Sequence, residues 1–466
     1  MISRRARCIA ICSIAVLVTF SAASRAEDWP KYRRDLLNSG HSAEHGTLAN
    51  GVTTVISSNI QSLSLKWSTA VNGAVTGTPA VIGDIVYVGT WNGIFYALDA
   101  VTGAIKWSRT ICICRITGSP AVANGVIYFG ASNATLYALN ASDGSQKWAL
   151  QVTTQTGADI WASPAVIFSP SFPQGIVYIG VASQADAPCI QGEMYGVNAT
   201  TGVKVWTFNA IDQTTCPSGT CVGAGIWSSA ALDVPTNLLY ISTGNPGSTC
   251  TPATANAGKY PDSVLALDMS TGAIVGFFNA IANDRADEDF GSSPILLTTG
   301  STTQCVGTYA QRQWVADASK NGVMYFMPRG SQIGTSPVKR KLSSSQLITS
   351  PAFTSACASG GVSNNVFITS TGGYFVGVSQ GSSGGVSKVF NDFISGSQMF
   401  SAPAIVNDVV FFGSQDFKLH AYSTSGRPLW SFNIGGRVDS GPSVSNGRIY
   451  FGSSDAHVRC LSIDAK

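Results

Sequence analysis

Residues 76–107, TGTPAVIGDIVYVGTWNGIFYALDAVTGAIKW, are followed at 117–148 by TGSPAVANGVIYFGASNATLYALNASDGSQKW, the same order of parts displaced by 41 residues. A self-similarity of that period belongs to repeat architectures, in which a unit that cannot bury its apolar face alone stacks on its neighbours. Each unit runs through a Ser/Thr-Pro-Ala-Val segment, a Val-Tyr-Val-Gly segment, a Tyr-Ala-Leu-Asp segment, a Thr-Gly turn and a segment carrying Trp. Short β-branched and aromatic runs bounded by Gly and Asn read as strands. Four strands in each unit make a propeller blade. The first-strand marker recurs as TPAV (78), SPAV (119), SPAV (163), SSAAL (228), SPIL (293), SPAF (350), APAI (402) and GPSV (441), which predicts an all-β, eight-bladed β-propeller. The last unit ends at Cys460-Leu461-Ser462 without a Trp strand, while an unpartnered LSLKW (63–67) precedes the first. Pairing 63–67 with the last blade closes the ring and removes an exposed sheet edge. Residues 27–466 are therefore expected to form one domain.

The chain opens with Arg4, Arg5 and Arg7, an apolar run from Cys8 to Phe20, and small residues ending at Ala26. That order predicts a secretory signal over 1–26. The run is shorter than the roughly 20 apolar residues of a membrane span, and no later stretch predicts a membrane anchor. The expected location is periplasmic or secreted. Forty-nine glycines and only 11% charged residues fit a β protein with many tight turns. A net charge of +3 without a Lys/Arg cluster argues against nucleic acid as a partner. Beyond Ala26 the cysteines are 112, 114, 189, 216, 221, 250, 305, 357 and 460, an odd number for which disulfides are the first expectation in an exported chain. Cys216 and Cys221 are close enough to bridge across a turn. No Cys-x-x-Cys-His occurs, so there is no covalent c-type haem signal. Blades three to five have about 60 residues between markers where the regular ones have about 40, so one sector of the ring carries long loops.

The unit Tyr-Ala-Leu-Asp-x-x-Thr-Gly-x-x-x-Trp (96–107) resembles the tryptophan-docking repeat of the quinoprotein dehydrogenase propellers that bind pyrroloquinoline quinone (PQQ). The similarity runs over nearly the whole chain from Asp28-Trp29-Pro30-x-Tyr32 onward and is nearest to the polyvinyl-alcohol-dehydrogenase-like branch. Non-catalytic scaffold propellers, such as the outer-membrane assembly lipoprotein, share the repeat. The resemblance implies PQQ and Ca²⁺ as cofactors, with functional residues at the positions that match the family's site motifs. GIWSSAALD (225–233) followed by STGNP (242–246) makes Trp227 the indole beneath the quinone and Asn245 a calcium ligand. A hard cation takes carbonyl and carboxylate oxygens, and an indole offers a flat apolar face to a tricyclic ring. ASKNGVMYFMPR (318–329) makes Lys320 the cation that reaches the quinone oxygens, and Arg115 matches a partner for a cofactor carboxylate. The general base comes from ANDRADEDFGSSP: Asp284 first, Asp287 second, with Asp289-Phe290-Gly291 capping the next strand.

Two departures from the family are visible. The blade-three glutamate that binds calcium is missing from GVASQADAPCIQGEMYG; Asp186 or Gln184 stands in its neighbourhood, and Glu193 lies in the following strand. The adjacent-cysteine ring of many relatives is replaced by Cys112-Ile113-Cys114, a larger ring. The resemblance implies an exported alcohol dehydrogenase acting on a small-molecule or polymeric alcohol and passing electrons to a separate acceptor such as a cytochrome c. The rival expectation is a non-catalytic propeller, a periplasmic scaffold or ligand-binding module. The four histidines (41, 45, 420, 457) have no metal-ligand spacing, and His420 and His457 are expected to be structural.

Overall fold

A computed structural model describes residues 27–183, 190–211, 222–246, 260–281, 284, 286–299, 312–354, 364–381 and 384–464. The predicted signal, Asp186, Gln184 and the Cys216–Cys221 pair lie outside these residues. The described chain forms eight sheets in a ring, antiparallel except where His41–Ser42 adds in parallel to Ala404–Val406, an eight-bladed β-propeller. Among the described residues helical turns are confined to three short 3-10 segments, Ile60–Ser62, Val234–Thr236 and Gly330–Gln332, and no helix is long and apolar enough to cross a membrane.

Blade one shows the plan: Ala80–Ile82, Ile85–Gly89, Ile94–Asp99 and Ile105–Thr110 pair in chain order from the ring axis outward. The middle two strands are buried almost throughout, which is why they read as continuous apolar runs. The outermost strand is exposed along its length except at the half-buried Trp107. Blade eight is built from Ser443–Ser445, Arg448–Ser453 and His457–Ser462, with Ser64–Ala70 as its outer strand. That last pairing sets Leu65 opposite Leu461 and Trp67 opposite Cys460, so a strand from near the start of the chain completes the blade made at its end.

The repeated Tyr, Thr-Gly and Trp are explained by how blades dock. Trp206, on the outer strand of blade three, donates its indole N–H to the Met269 carbonyl of blade four at 3.0 Å, and the Tyr178 hydroxyl donates to the same oxygen at 3.1 Å. Trp67 with Tyr450, Trp107 with Tyr87, and Trp148 with Tyr128 repeat the arrangement on Ala100, Ala141 and Ala199. The turn glycine is required twice over. Gly272 has φ +71°, and a Cβ there would lie 2.4 Å from the Trp206 ring.

At the axis, a second interlock uses the hydroxyl of each Ser/Thr-Pro marker. The N–H groups of Thr78, Ser119, Ser163, Ser229 and Ser293 donate in turn to the Oγ of Ser119, Ser163, Ser229, Ser293 and Ser350, at 2.8–2.9 Å. The series stops where blades seven and eight carry Ala402 and Gly441 instead. One end of the axial space is closed by residues 27–46. Their backbone pairs with the innermost strands through Trp29 with Val81, Pro30 with Val122, Leu36 with Leu232, Leu37 with Leu296, Ser39 with Phe353 and Gly40 with Ile405. Buried Arg33 crosses the centre to donate to the Pro351 and Pro403 carbonyls, and Asn38 donates to the carbonyls of Ser229 and Pro294.

Candidate functional site

The opposite end of the axis holds a cavity of about 340 Å³, within the range of small-molecule sites. Its wall is set by a register rule: the residue two before each blade's marker hydroxyl, or its equivalent, faces the cavity. Thr76, Thr117 and Asp439 make one side polar, and Trp161, Trp227, Ile348 and Phe400 make the other aromatic and aliphatic. Trp161 (IWASP) and Trp227 (IWSSA) thus hold the same repeat position in adjacent blades. The sequence reading singled out Trp227 alone, although the self-comparison that aligned the markers also aligns Trp161.

Trp227 is fixed by its indole N–H, which donates to the Phe290 carbonyl at 2.9 Å. The Trp161 Nε1 is buried without a hydrogen-bond partner. Lys320 also lines the cavity, with its Nζ 4.6 Å from the Trp227 ring centroid, a cation over an aromatic face. The same Nζ lies 2.5 Å from Asp287 Oδ1 and 2.8 Å from Asp289 Oδ1. Its side chain is 12% exposed. Burial alone would lower its pKa, but Asp289 and Asp287 outweigh burial and hold it above the ordinary lysine value. Lys320 is therefore charged at neutral pH and is not an exposed turn lysine.

The acids differ sharply. Asp284 is 3% exposed, and its two oxygens accept the backbone N–H groups of Ala286 at 2.7 Å and Glu288 at 2.6 Å. Asp287, half exposed, keeps its carboxylate at the Lys320 ammonium. The geometry thus brings the second-ranked acid, rather than the first, to the cation beside the cavity. Asp289 does more than cap a strand: fully buried, it pairs with Lys320 through Oδ1 and accepts the Asn245 N–H at Oδ2, 3.1 Å away. Burial pushes its carboxyl up, against the pull of Lys320.

Asn245 follows the strand Leu238–Ser242, and its position is set by backbone. Its carbonyl accepts the Ala224 N–H at 2.7 Å, and the preceding Gly244 N–H donates to the Gly225 carbonyl at 2.9 Å. The residue is 5% exposed. Asp262, which the sequence reading passed over, belongs to the same knot: it is 1% exposed, its N–H donates to the Gly244 carbonyl at 3.0 Å, and its Oδ1 is buried with no hydrogen-bond partner. Burial, then the charges of Asp284 and Asp289, push this carboxyl up to about 9, against Lys320. The chemistry of these donors, all oxygen, suits a hard cation, and an orphaned buried carboxylate oxygen is what a bound ion would satisfy. Among the described residues no three His, Cys, Asp or Glu side chains converge on one point; an ion here would also draw on the Asn245 amide and on carbonyl oxygens.

Arg115 stands off the cavity wall. Its guanidinium lies 5.6 Å from the Trp91 ring centroid and its Nη2 is 3.9 Å from Asp159 Oδ2, and Trp91 in turn donates to Thr76 on the wall at 2.9 Å. Burial pushes the Asp159 carboxyl up to about 6 despite Arg115. Just before Arg115, Cys112 and Cys114 form a disulfide with Ile113 fully exposed between them; neither cysteine is on the cavity wall. His420 meets Asp416 at 3.0 Å and His457 meets the Asp455 carbonyl at 2.8 Å, both within blade strands away from the cavity.

A family model described as outer membrane protein assembly factor BamB matches residues 15–275 and 382–466. A polyvinylalcohol dehydrogenase from a Pseudomonas species is 24% identical over 433 residues, covering 80% of this chain and 64% of its own. The chain thus spans a little under two thirds of that curated relative. Among solved structures, a quinohemoprotein alcohol dehydrogenase from Comamonas testosteroni superposes with a TM-score of 0.75 at 19% identity, covering 96% of this chain and 82% of the other. BamB from Moraxella catarrhalis gives 0.55 at 16% identity over 86% of this chain and 97% of its own. At such identities the two superpositions establish the fold alone.

Proposed function

The chain belongs to the PQQ-repeat propeller family whose model is described as assembly factor BamB, and from that premise we propose that it is an exported, PQQ- and Ca²⁺-dependent alcohol dehydrogenase. The observation that carries this reading is the charged Lys320, held over the Trp227 face at the cavity with Asp287 2.5 Å from its Nζ. Lys320 and Trp227 line the cavity, and the half-exposed Asp287 carboxylate stands at the Lys320 ammonium.

When bound, PQQ supplies the carbonyl that accepts a hydride from the alcohol carbon. The chain's own groups then divide the work. Trp227 presents the flat apolar face on which a planar ring system rests, and the aromatic side of the cavity excludes water around it. Lys320 directs its ammonium at the negative charge that develops on an acceptor oxygen, and its raised pKa keeps it protonated there. Asp287 takes the proton of the substrate hydroxyl at its carboxylate, which is open to the solvent side. Asp284 orders the loop that carries Asp287, and Asp289 holds Lys320 in place. Arg115 is the candidate partner for a cofactor carboxylate. Asn245 is the proposed calcium ligand, with Asp186 a candidate from the blade-three loop. Substrates would be small or polymeric alcohols, with electrons passed to a separate acceptor such as a cytochrome c, in the periplasm or outside the cell.

Purified protein supplied with PQQ and Ca²⁺ should bind the quinone stoichiometrically and reduce an artificial electron acceptor when given alcohols, and Asn245→Ala should abolish both. The second reading, a non-catalytic scaffold or ligand-binding propeller, is favoured by the description of the matching family and by the lack of three converging acids among the described residues. It predicts no quinone binding at any Ca²⁺ concentration.

A further inference from the structure

We infer that Asp262 supplies a carboxylate oxygen to the cation of this site, in the place where the blade-three loop lacks its glutamate. The inference rests on the calcium dependence proposed above. Asp262 joins the end of the 245–262 loop to blade four, in which the next residue, Ser263, begins the strand Ser263–Asp268. Its backbone has φ +52°, a left-handed conformation that residues other than glycine adopt only at a cost. Two hydrogen bonds impose it: the Asp262 N–H on the Gly244 carbonyl, and the Ala280 N–H on the Asp262 carbonyl at 2.9 Å. A residue held in this way has its side-chain direction fixed by the backbone.

That direction serves no partner among the described residues. Each other acid of the cluster is engaged: Asp284 by two backbone N–H groups, Asp287 by Lys320, and Asp289 by Lys320 and the Asn245 N–H. Asp262 alone among them keeps a buried oxygen with no hydrogen bond and, among the described residues, no ion pair. A buried carboxyl oxygen without a partner is costly to desolvate, and a bound cation would satisfy it. Lys320 is already spent on two other acids.

The same short stretch of backbone carries the other proposed ligand. The Gly244 carbonyl anchors Asp262, and the next residue is Asn245, whose N–H binds Asp289. Gly244 is itself constrained, because a Cβ on it would lie 2.9 Å from Asp289 Oδ2. One amide oxygen and one carboxylate oxygen from adjacent backbone, completed by carbonyls and water, is the donor chemistry that calcium takes, six to eight oxygens in a flexible shell.

The test is a calorimetric titration of the full chain with CaCl₂ alone, and again after saturation with PQQ, together with Tb³⁺ luminescence excited through the indoles. Wild-type protein should bind one ion, and Asp262→Asn should weaken binding at least tenfold, while Asp143→Asn on an exposed blade-two turn should leave it unchanged. In the absence of calcium Asp262→Asn should melt at the wild-type temperature or above it, since its Oδ1 makes no hydrogen bond that the change would remove; a purely structural aspartate would give a lower melting point. Wild-type affinity in a folded Asp262→Asn protein overturns the inference and leaves the calcium reading standing. Failure of the wild-type chain to bind Ca²⁺ with or without PQQ overturns both. If the Asn variant does not fold, Asp262→Gly, which suits the left-handed backbone at φ +52°, replaces it, and wild-type affinity there overturns the inference.

Discussion

The ammonium of Lys320 sits 4.6 Å from the centre of the Trp227 ring and 2.8 Å from Asp289 Oδ1, so one cation joins the floor of the cavity to a fully buried acid. Replacing Lys320 with Met leaves Asp289 without its partner in a low-dielectric setting. Breaking a buried pair in this way costs about 3–5 kcal/mol, less whatever Asp289 recovers by taking a proton. Lys320→Met should therefore lower the melting temperature more at pH 8 than at pH 5 and should lose quinone binding. Lys320→Arg should keep most of the stability, because the charge remains. An Lys320→Met protein as stable as the wild type at pH 8 would show that Asp289 is not ionised there.

Asp284 and Asp287 separate structure from chemistry. Asp284→Asn keeps one acceptor oxygen for two backbone donors and should cost about 1–2 kcal/mol of stability. Asp287→Asn should leave the melting curve nearly unchanged and lower kcat/KM for an alcohol by about 10²–10⁴, the usual contribution of a positioned base. The comparison is made on quinone-loaded protein by dye reduction beside thermal denaturation. The opposite pattern would return the base to Asp284.

The axial hydroxyl series can be cut at one link. Ser163→Ala deprives the buried Ser119 N–H of its acceptor, which should cost about 1–3 kcal/mol. The ring and the surface it exposes on unfolding are unchanged, so the loss should show as a lower denaturant midpoint with an unaltered slope. A change in slope would mean that the ring itself had opened.

Asp317 makes stability depend on pH. It is fully buried, with one oxygen bonded to Ser292 and the Ala318 N–H and the other without a partner. Burial pushes its carboxyl up to about 7. Because the folded value lies above the unfolded one, the group favours the folded chain fully below the ordinary carboxylate range, and that contribution is lost as the pH rises through about 7. Its size is on the order of a few kcal/mol. Asp317→Asn should flatten the fall in melting temperature between about pH 4 and 7, measured against wild type in the same buffers.

The ring was legible in the sequence because its period is carried by residues that touch the next blade. Tyr178 and Trp206 meet at the Met269 carbonyl and Gly272 lies against the Trp206 ring, so the repeats that dock in this way carry all three kinds of residue. The site was legible where a motif brackets it, as GIWSS and STGNP bracket Trp227 and Asn245. Asp262 was not, because its importance lies in an oxygen left without a partner, and no local pattern reports that. Asp289 was read as a cap since its neighbours in the chain suit a turn; its partners, Lys320 and Asn245, are 31 and 44 residues away in the sequence. The choice between Asp284 and Asp287 turned on which of two acids three residues apart faces its own loop, a matter of backbone direction that spacing does not encode.

The segment at residues 27–46 runs against the inner edge of blades one, two, four, five, six and seven, and reaches blade eight through Glu27 and Glu44. Seven blades that would otherwise answer only to their neighbours are thereby tied to a single strip of chain. A linear array of repeats can fray one unit at a time, but here peeling any blade from the strip loosens the hold on those beyond it. Melting should thus be concerted across the whole toroid, and a protease cut between Trp29 and Gly40 should convert that single transition into several.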